Sequence, residues 1–246
     1  MGRFVHDRQI GLTERVSVDS EGTQANGDSA TGSVEGATPL AISADGRFVA
    51  FPSNATNLVA ADTNVCGTPP NTDNCPDVFV HDRETGATER VSVDSLGNEA
   101  NGASAVPAIS ANGRYVAFIS SATNLAEGDT YPNFDIFVHD RATGTTERVS
   151  VTSAGNETHH NSWGPTISGD GRYVVFDSWA PDLVTPATSN RPHLFVRDRV
   201  NGTTELLPVG SETYAPAISA NGGFIAFGTQ RSLVPEDTNW APDVYL

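Results

Sequence analysis

"PAISANGRYVAF" occupies Pro107–Phe118, and its reading decides the fold. Two short apolar runs flank Asn112-Gly113. Asn-Gly accepts the positive backbone angles of a tight hairpin, so "AIS" and "RYVAF" are expected as antiparallel neighbours. The phrase recurs as "PLAISADGRFVAF" from Pro39, "PTISGDGRYVVF" from Pro165 and "PAISANGGFIAF" from Pro216. One hairpin design is therefore written four times, and such a repeat governs the whole fold.

A second phrase alternates with the first. "FVHDRETGATERVSV" at Phe79–Val93 reappears at Phe4–Val18 and Phe137–Val151, and more loosely as "FVRDRVNGTTELLPV" at Phe195–Val209. It predicts a second hairpin, turned at segments such as "ETG". One unit is then four strands: "PAIS", "RYVAF", "DVFVHDR" and "TERVSV". The strands "YVAF" and "VFV" are apolar on both faces, whereas a half-buried strand would alternate. Burial on both faces stacks each small sheet between two others, and four-stranded sheets stacked around an axis make a β-propeller.

The expected fold is all-β, a single propeller domain over residues 1–246 with about four antiparallel four-stranded blades. Its units are residues 39–94, 107–151 and 165–209, with 216–246 completed by 3–18. One slot is claimed twice: "DVYL" at Asp243–Leu246 and "RFVHDR" at Arg3–Arg8 are both third strands. Either one is displaced, or an edge stays open for pairing with another chain, which would make a homo-oligomer through the terminal strand.

The phrase P-x-I-S-x-[DN]-G-R-[YF]-[VI]-A-F followed by D-[VI]-F-V-x-D resembles the repeat of TolB-like β-propellers, which are related to WD-repeat blades. The resemblance covers nearly the whole chain. Ile42, Ile109, Ile167 and Ile218 stand where the family usually has Trp. The resemblance implies a six-bladed parent architecture, so this chain also reads as part of a longer array.

Composition narrows the function. The net charge is −16 and every basic residue is Arg, which excludes nucleic acid as a natural partner. No apolar run reaches membrane-spanning length. Cys66 and Cys75 enclose a Pro- and Asn-rich loop with no nearby His, so a disulfide is expected rather than zinc, and with it an oxidising, secreted or periplasmic setting. Strand-like text begins at Phe4, which reads as the start of a mature chain and not as a leader peptide.

Three groups of residues are candidates for chemistry. His6, His81 and His139 recur in "VHDR", with Arg197 in the fourth copy; they read as packed, hydrogen-bonded blade residues. Acidic loops before the third strand carry Asp129 and Asp135, Asp237, Asn239 and Asp243, and Asp62 with Asp77; their hard oxygens suit Ca²⁺ or cap turns. "GNETHHNSWGP" at Gly155–Pro165 departs from "GNEANGASAVP" at Gly97–Pro107. There His159, His160 and Trp163 replace Asn101, Gly102 and Ala105, on a crossing expected near the mouth of the central channel. These three are the expected ligand-binding residues. The sequence holds neither a G-x-S-x-G elbow nor an H-E-x-x-H helix. The expected function is a non-catalytic module of a bacterial extracytoplasmic protein, binding a protein, peptide or glycan. The alternatives are a metal-assisted lyase or hydrolase using His159 and His160, and a fragment that self-associates.

Overall fold

The computed structural model describes residues 2–29, 40–66, 73–238 and 243–246. The N-terminal strands are β1 (Phe4–His6) and β2 (Thr13–Arg15), followed by β3 (Ala41–Ile42), β4 (Phe48–Ser53), β5 (Val65–Cys66), β6 (Asp73–Asn74), β7 (Asp77–Asp82) and β8 (Thr88–Arg90). The middle of the chain forms β9 (Ser104–Ile109), β10 (Tyr115–Ser120), β11 (Asp135–Asp140) and β12 (Thr145–Arg148), then β13 (Ser162–Ile167), β14 (Tyr173–Ser178), β15 (His193–Asp198) and β16 (Thr203–Ser211). The chain ends with β17 (Thr213–Ile218), β18 (Ile225–Thr229) and β19 (Asp243–Tyr245).

Every pairing is antiparallel and follows the expected order. The sheets β3-β4-β7-β8, β9-β10-β11-β12, β13-β14-β15-β16 and β17-β18-β19 are four blades of a β-propeller. Each Asp-Gly or Asn-Gly turn places its glycine at positive φ, from 71° to 77° at Gly46, Gly113, Gly171 and Gly222. Burial on both faces holds as expected: every residue of β7 and β11 is buried. In each blade a second-strand ring stacks on a third-strand ring, as in Phe118–Phe137 at 6.0 Å between centroids. Neighbouring blades touch through their first strands, β3 with β9, β9 with β13 and β13 with β17, so these line the inside.

The N-terminal pair β1-β2 forms its own sheet, apart from β17-β18-β19. Its bonds run to the first blade: Arg83 pairs with Glu14, and Thr88 Oγ1 donates to the Val18 carbonyl at 2.6 Å. The same two contacts recur between later blades, as Arg141 to Glu89 and Thr146 to the Val93 carbonyl. β1-β2 therefore stands as the outer half of a blade ahead of the first. Cys66 and Cys75 are joined in a disulfide beside the short ribbon β5-β6.

Candidate functional site

The repeated polar residues are spent on shape. Arg47, Arg114 and Arg172 each grip the aspartate of their own blade through two nitrogens; Arg114 Nε and Nη2 lie 2.8 and 2.7 Å from the Asp140 oxygens. These bonds hold the Asp82, Asp140 and Asp198 carboxyls below the usual range. His6, His81 and His139 each sit 2.8 Å from the threonine across the strand, at Thr13, Thr88 and Thr146. Arg197 does the same work on Thr204 at 3.0 Å. Burial lowers the pKa of His81 and His139, so both are packed as neutral rings.

The acidic loops form two buried triads, Asp129–Asp135–Glu157 and Asp62–Asp77–Glu99. Glu99 and Glu157 were not expected there; their signal was the shared "GNE" of the two crossings. Arg148 Nη1 lies between its three carboxylates, 3.1 Å from Asp129, 3.7 Å from Asp135 and 3.0 Å from Glu157. Arg90 takes the same position in the other triad. Ca²⁺ would need six to eight oxygens at about 2.3–2.6 Å around the point where the guanidinium stands. As arranged, these residues do not fit the ion without moving the arginine. Burial still raises Asp129 to about 7 and Asp135 to about 6, since their desolvation outweighs the nearby Arg148 guanidinium. In the fourth blade Asp237 Oδ2 accepts from the Tyr245 hydroxyl at 2.6 Å, Asp243 is half-buried at the start of β19, and Asn239 lies outside the described residues.

The crossing residues separate. His159 is exposed and packs against Tyr131, ring centroids 4.1 Å apart. His160 is half-buried, with Nδ1 lacking a hydrogen-bond partner. Among the described residues, neither joins a group of three potential metal ligands. Trp163 turns inward, resting on Phe134 at 4.6 Å and lining a cavity of about 800 Å³ between the third and fourth blades.

That cavity collects the departures of the third blade from its siblings. Trp163 pairs across the ladder with Asp177, where the second blade has Ala105 opposite Ile119. Trp179 follows where the siblings have Asn54 and Ser121, and it is 46% exposed. All three line the cavity, with Tyr214, Glu212 and Gln230 from the fourth blade's side. Asp177 and Trp179 were legible by aligning "VVFDSW" with "VAFISS" and "VAFPSN". Backbone strain collects here too. Val106, Glu212 and Ala215 have φ of 53°, 66° and 50°, left-handed values that cost a residue with a side chain about 1–3 kcal/mol each. Val106 and Ala215 precede prolines at the bulges of β9 and β17, and all three residues line the cavity. The hydroxyl of Thr213, also in the lining, is buried without a hydrogen-bond partner.

The fold and this inner cavity define a β-propeller with TolB-like blades. TolB from Acinetobacter baumannii is similar over 99% of this chain and 45% of its own, at 18% identity and a TM-score of 0.51. An oligogalacturonate lyase solved in complex with manganese is similar over 95% of this chain and 54% of its own, at 10% identity and a TM-score of 0.55. The tricorn protease is similar over 93% of this chain and 21% of its own, at 14% identity and a TM-score of 0.54. The chain thus spans less than two thirds of each, and at these identities the likeness is one of fold. No family model and no curated protein sequence matches the chain. Among the described residues no helix is long and apolar enough to cross a membrane.

Proposed function

We infer that the chain is a non-catalytic binding module of an extracytoplasmic bacterial protein, and that its ligand, a peptide, protein segment or glycan, enters the cavity between the third and fourth blades. The observation that carries this is the clustering of Trp163, Asp177 and Trp179. The blades are near-copies, so each is a control for the others. Most positions that build a blade keep the same residue type, whereas the positions of Trp163, Asp177 and Trp179 change from blade to blade and converge on one cavity. Aromatic faces supply contact area, while Asp177, Glu212 and Gln230 supply orientation. Glu212 is paired with Arg191 at the rim, so the lining is not one uncompensated anionic wall.

The disulfide supports an oxidising compartment. The test is to screen the chain on immobilised glycans and on a displayed peptide library beside a variant that carries Trp163→Ala, Asp177→Ile and Trp179→Ser. Those are the residues the second blade already tolerates. The wild type is expected to retain a ligand that the variant, with an unchanged melting temperature, does not. Equal retention by both would refute this cavity as the site. Turnover of a retained glycan or peptide, dependent on added metal, would refute the non-catalytic reading.

A further inference from the structure

Each blade joins the next by one repeated contact. Phe48 lies on Gly113, Tyr115 on Gly171 and Tyr173 on Gly222; a Cβ on those glycines would stand 2.1, 2.1 and 2.6 Å from the ring. The receiving blade also covers the ring with an arginine, Arg141 over Phe48 at 4.3 Å and Arg199 over Tyr115 at 4.5 Å. That arginine is held in turn by the carbonyl of the receiving glycine, Arg141 Nη1 to Gly113 at 2.6 Å and Arg199 Nη1 to Gly171 at 2.5 Å. The donor blade gives the ring; the receiver gives the glycine and the arginine.

The two outer blades hold the unmatched halves. Phe224, in the ring position of the fourth blade, is 59% exposed. Gly46 and Arg83 form a complete receiving socket on the first blade, with Arg83 Nη1 donating to the Gly46 carbonyl at 2.5 Å. Around the place of a Cβ on Gly46 only the Arg83 guanidinium comes within 4 Å. Among the described residues, one face thus carries a ring without a socket, the other a socket without a ring.

We propose that the chain binds a second copy of itself, Phe224 of one copy seating on Gly46 and Arg83 of the other. The faces around the two halves agree. Val244 is 79% exposed, whereas Val78, Ile136 and Leu194 at its position in the other blades are fully buried. Phe4 is 51% exposed, whereas Phe79, Phe137 and Phe195 are fully buried. β1-β2 already stands as the outer half of a blade ahead of the first. The incoming β17 and β18 supply the inner half, bringing Phe227 to Phe4 as Phe118 is brought to Phe137. β19, which holds the third-strand place beside β18 with Tyr245 stacked on Phe227 at 6.2 Å, gives way to β1 of the other copy. The contact joins two different faces, so two copies engaged at both ends close on each other in a ring of eight blade positions, within the range of propellers. Both copies carry net charge −16, so association strengthens with added salt.

The test is the mass of the 246-residue chain by light scattering and sedimentation across concentration and salt. Twice the chain mass is expected at high concentration in about 0.3 M salt, where surface charges are well screened. Phe224→Ala removes the ring, and Gly46→Asn puts a Cβ into the socket with a residue that tolerates left-handed backbone. Among the described residues neither position has a covering partner in the single chain, so each variant alone is expected to fold cooperatively and run at the single-chain mass. Mixed one to one, they regain one intact contact and form a pair. A wild type at single-chain mass throughout would overturn the proposal, as would variants that still pair alone or that fail to pair when mixed.

Discussion

Replacing Gly171 by alanine separates the joint between blades from the turn that carries it. Gly171 has φ of 77°, and its Cβ would stand 2.1 Å from the Tyr115 ring. Gly144 has a like φ of 74° with nothing within 4 Å. Each substitution costs about 1–2 kcal/mol for left-handed backbone. Gly171→Ala must in addition push the ring off its seat, about 1–3 kcal/mol of overpacking. It also loosens Tyr115 from Arg199, about 0.5–1 kcal/mol. Together that is about 3–5 kcal/mol, a large part of the roughly 5–15 kcal/mol that holds a domain folded. With a urea slope of about 3 kcal/mol per molar, the upper end of the usual range and the one suited to a chain of this size, the unfolding midpoint falls by about 1–2 M for Gly171→Ala and by about 0.3–0.7 M for Gly144→Ala. In a Tyr115→Ala background the extra cost of Gly171→Ala is expected to vanish, since no ring remains to displace. Equal midpoints for the two glycine variants, or a penalty that survives without the tyrosine, would refute the ring-on-glycine joint.

Stability should depend on pH through the triads. Burial raises the pKa of Asp77 and Asp129 to about 7 and Asp135 to about 6, so the folded chain keeps protons that the unfolded chain releases between about pH 4 and 7. These groups therefore add stability as pH falls through that window. Below about pH 4 the trend reverses, as Asp82, Asp140 and Asp198 lose their arginine pairs. Burial lowers the pKa of His81 and His139, which works against the triads' gain as the unfolded rings protonate below about pH 6.5. Asp129→Asn is therefore expected to reduce the gain in urea midpoint from pH 7 to pH 5 relative to the wild type, and an unchanged gain would count against the triad geometry. Millimolar Ca²⁺ should leave the wild-type melting temperature in place but raise that of Arg148→Gln, which vacates the space between three carboxylates; stabilisation of the wild type alone would contradict the guanidinium's placement. Alkylation of the unreduced, denatured chain should modify no cysteine, and two modified thiols would disprove the Cys66–Cys75 bridge.

Much of the fold was legible because each repeated letter has a repeated neighbour. Asn112-Gly113 named its turn, and the two-sided apolar text of β10 and β11 named the stacking. The location of β1-β2 was not legible, because "FVHDR" text fits a third strand in any blade; Glu14 meeting Arg83 decides it. The candidate site was half legible. Trp163 stood out because its crossing departs from its sibling, but the neighbouring His159 and His160 stood out equally and go elsewhere. His159 lies before β13 begins at Ser162 and packs on Tyr131, while Trp163 sits within the strand and lines the cavity, and the start of β13 cannot be read closely enough from text to sort them. Asp177 and Trp179 lay in a strand that looked like plain core, where one polar letter among apolar ones was the only sign.

Hydrogen exchange of the chain with and without the ligand retained in the screen bears most directly on where function resides. The account predicts slower exchange at 162–165, 177–180 and 212–216, the segments that meet at the inner cavity, with the rest unchanged. Protection confined to 129–135 or 157–160, with the inner strands unaffected, would contradict it.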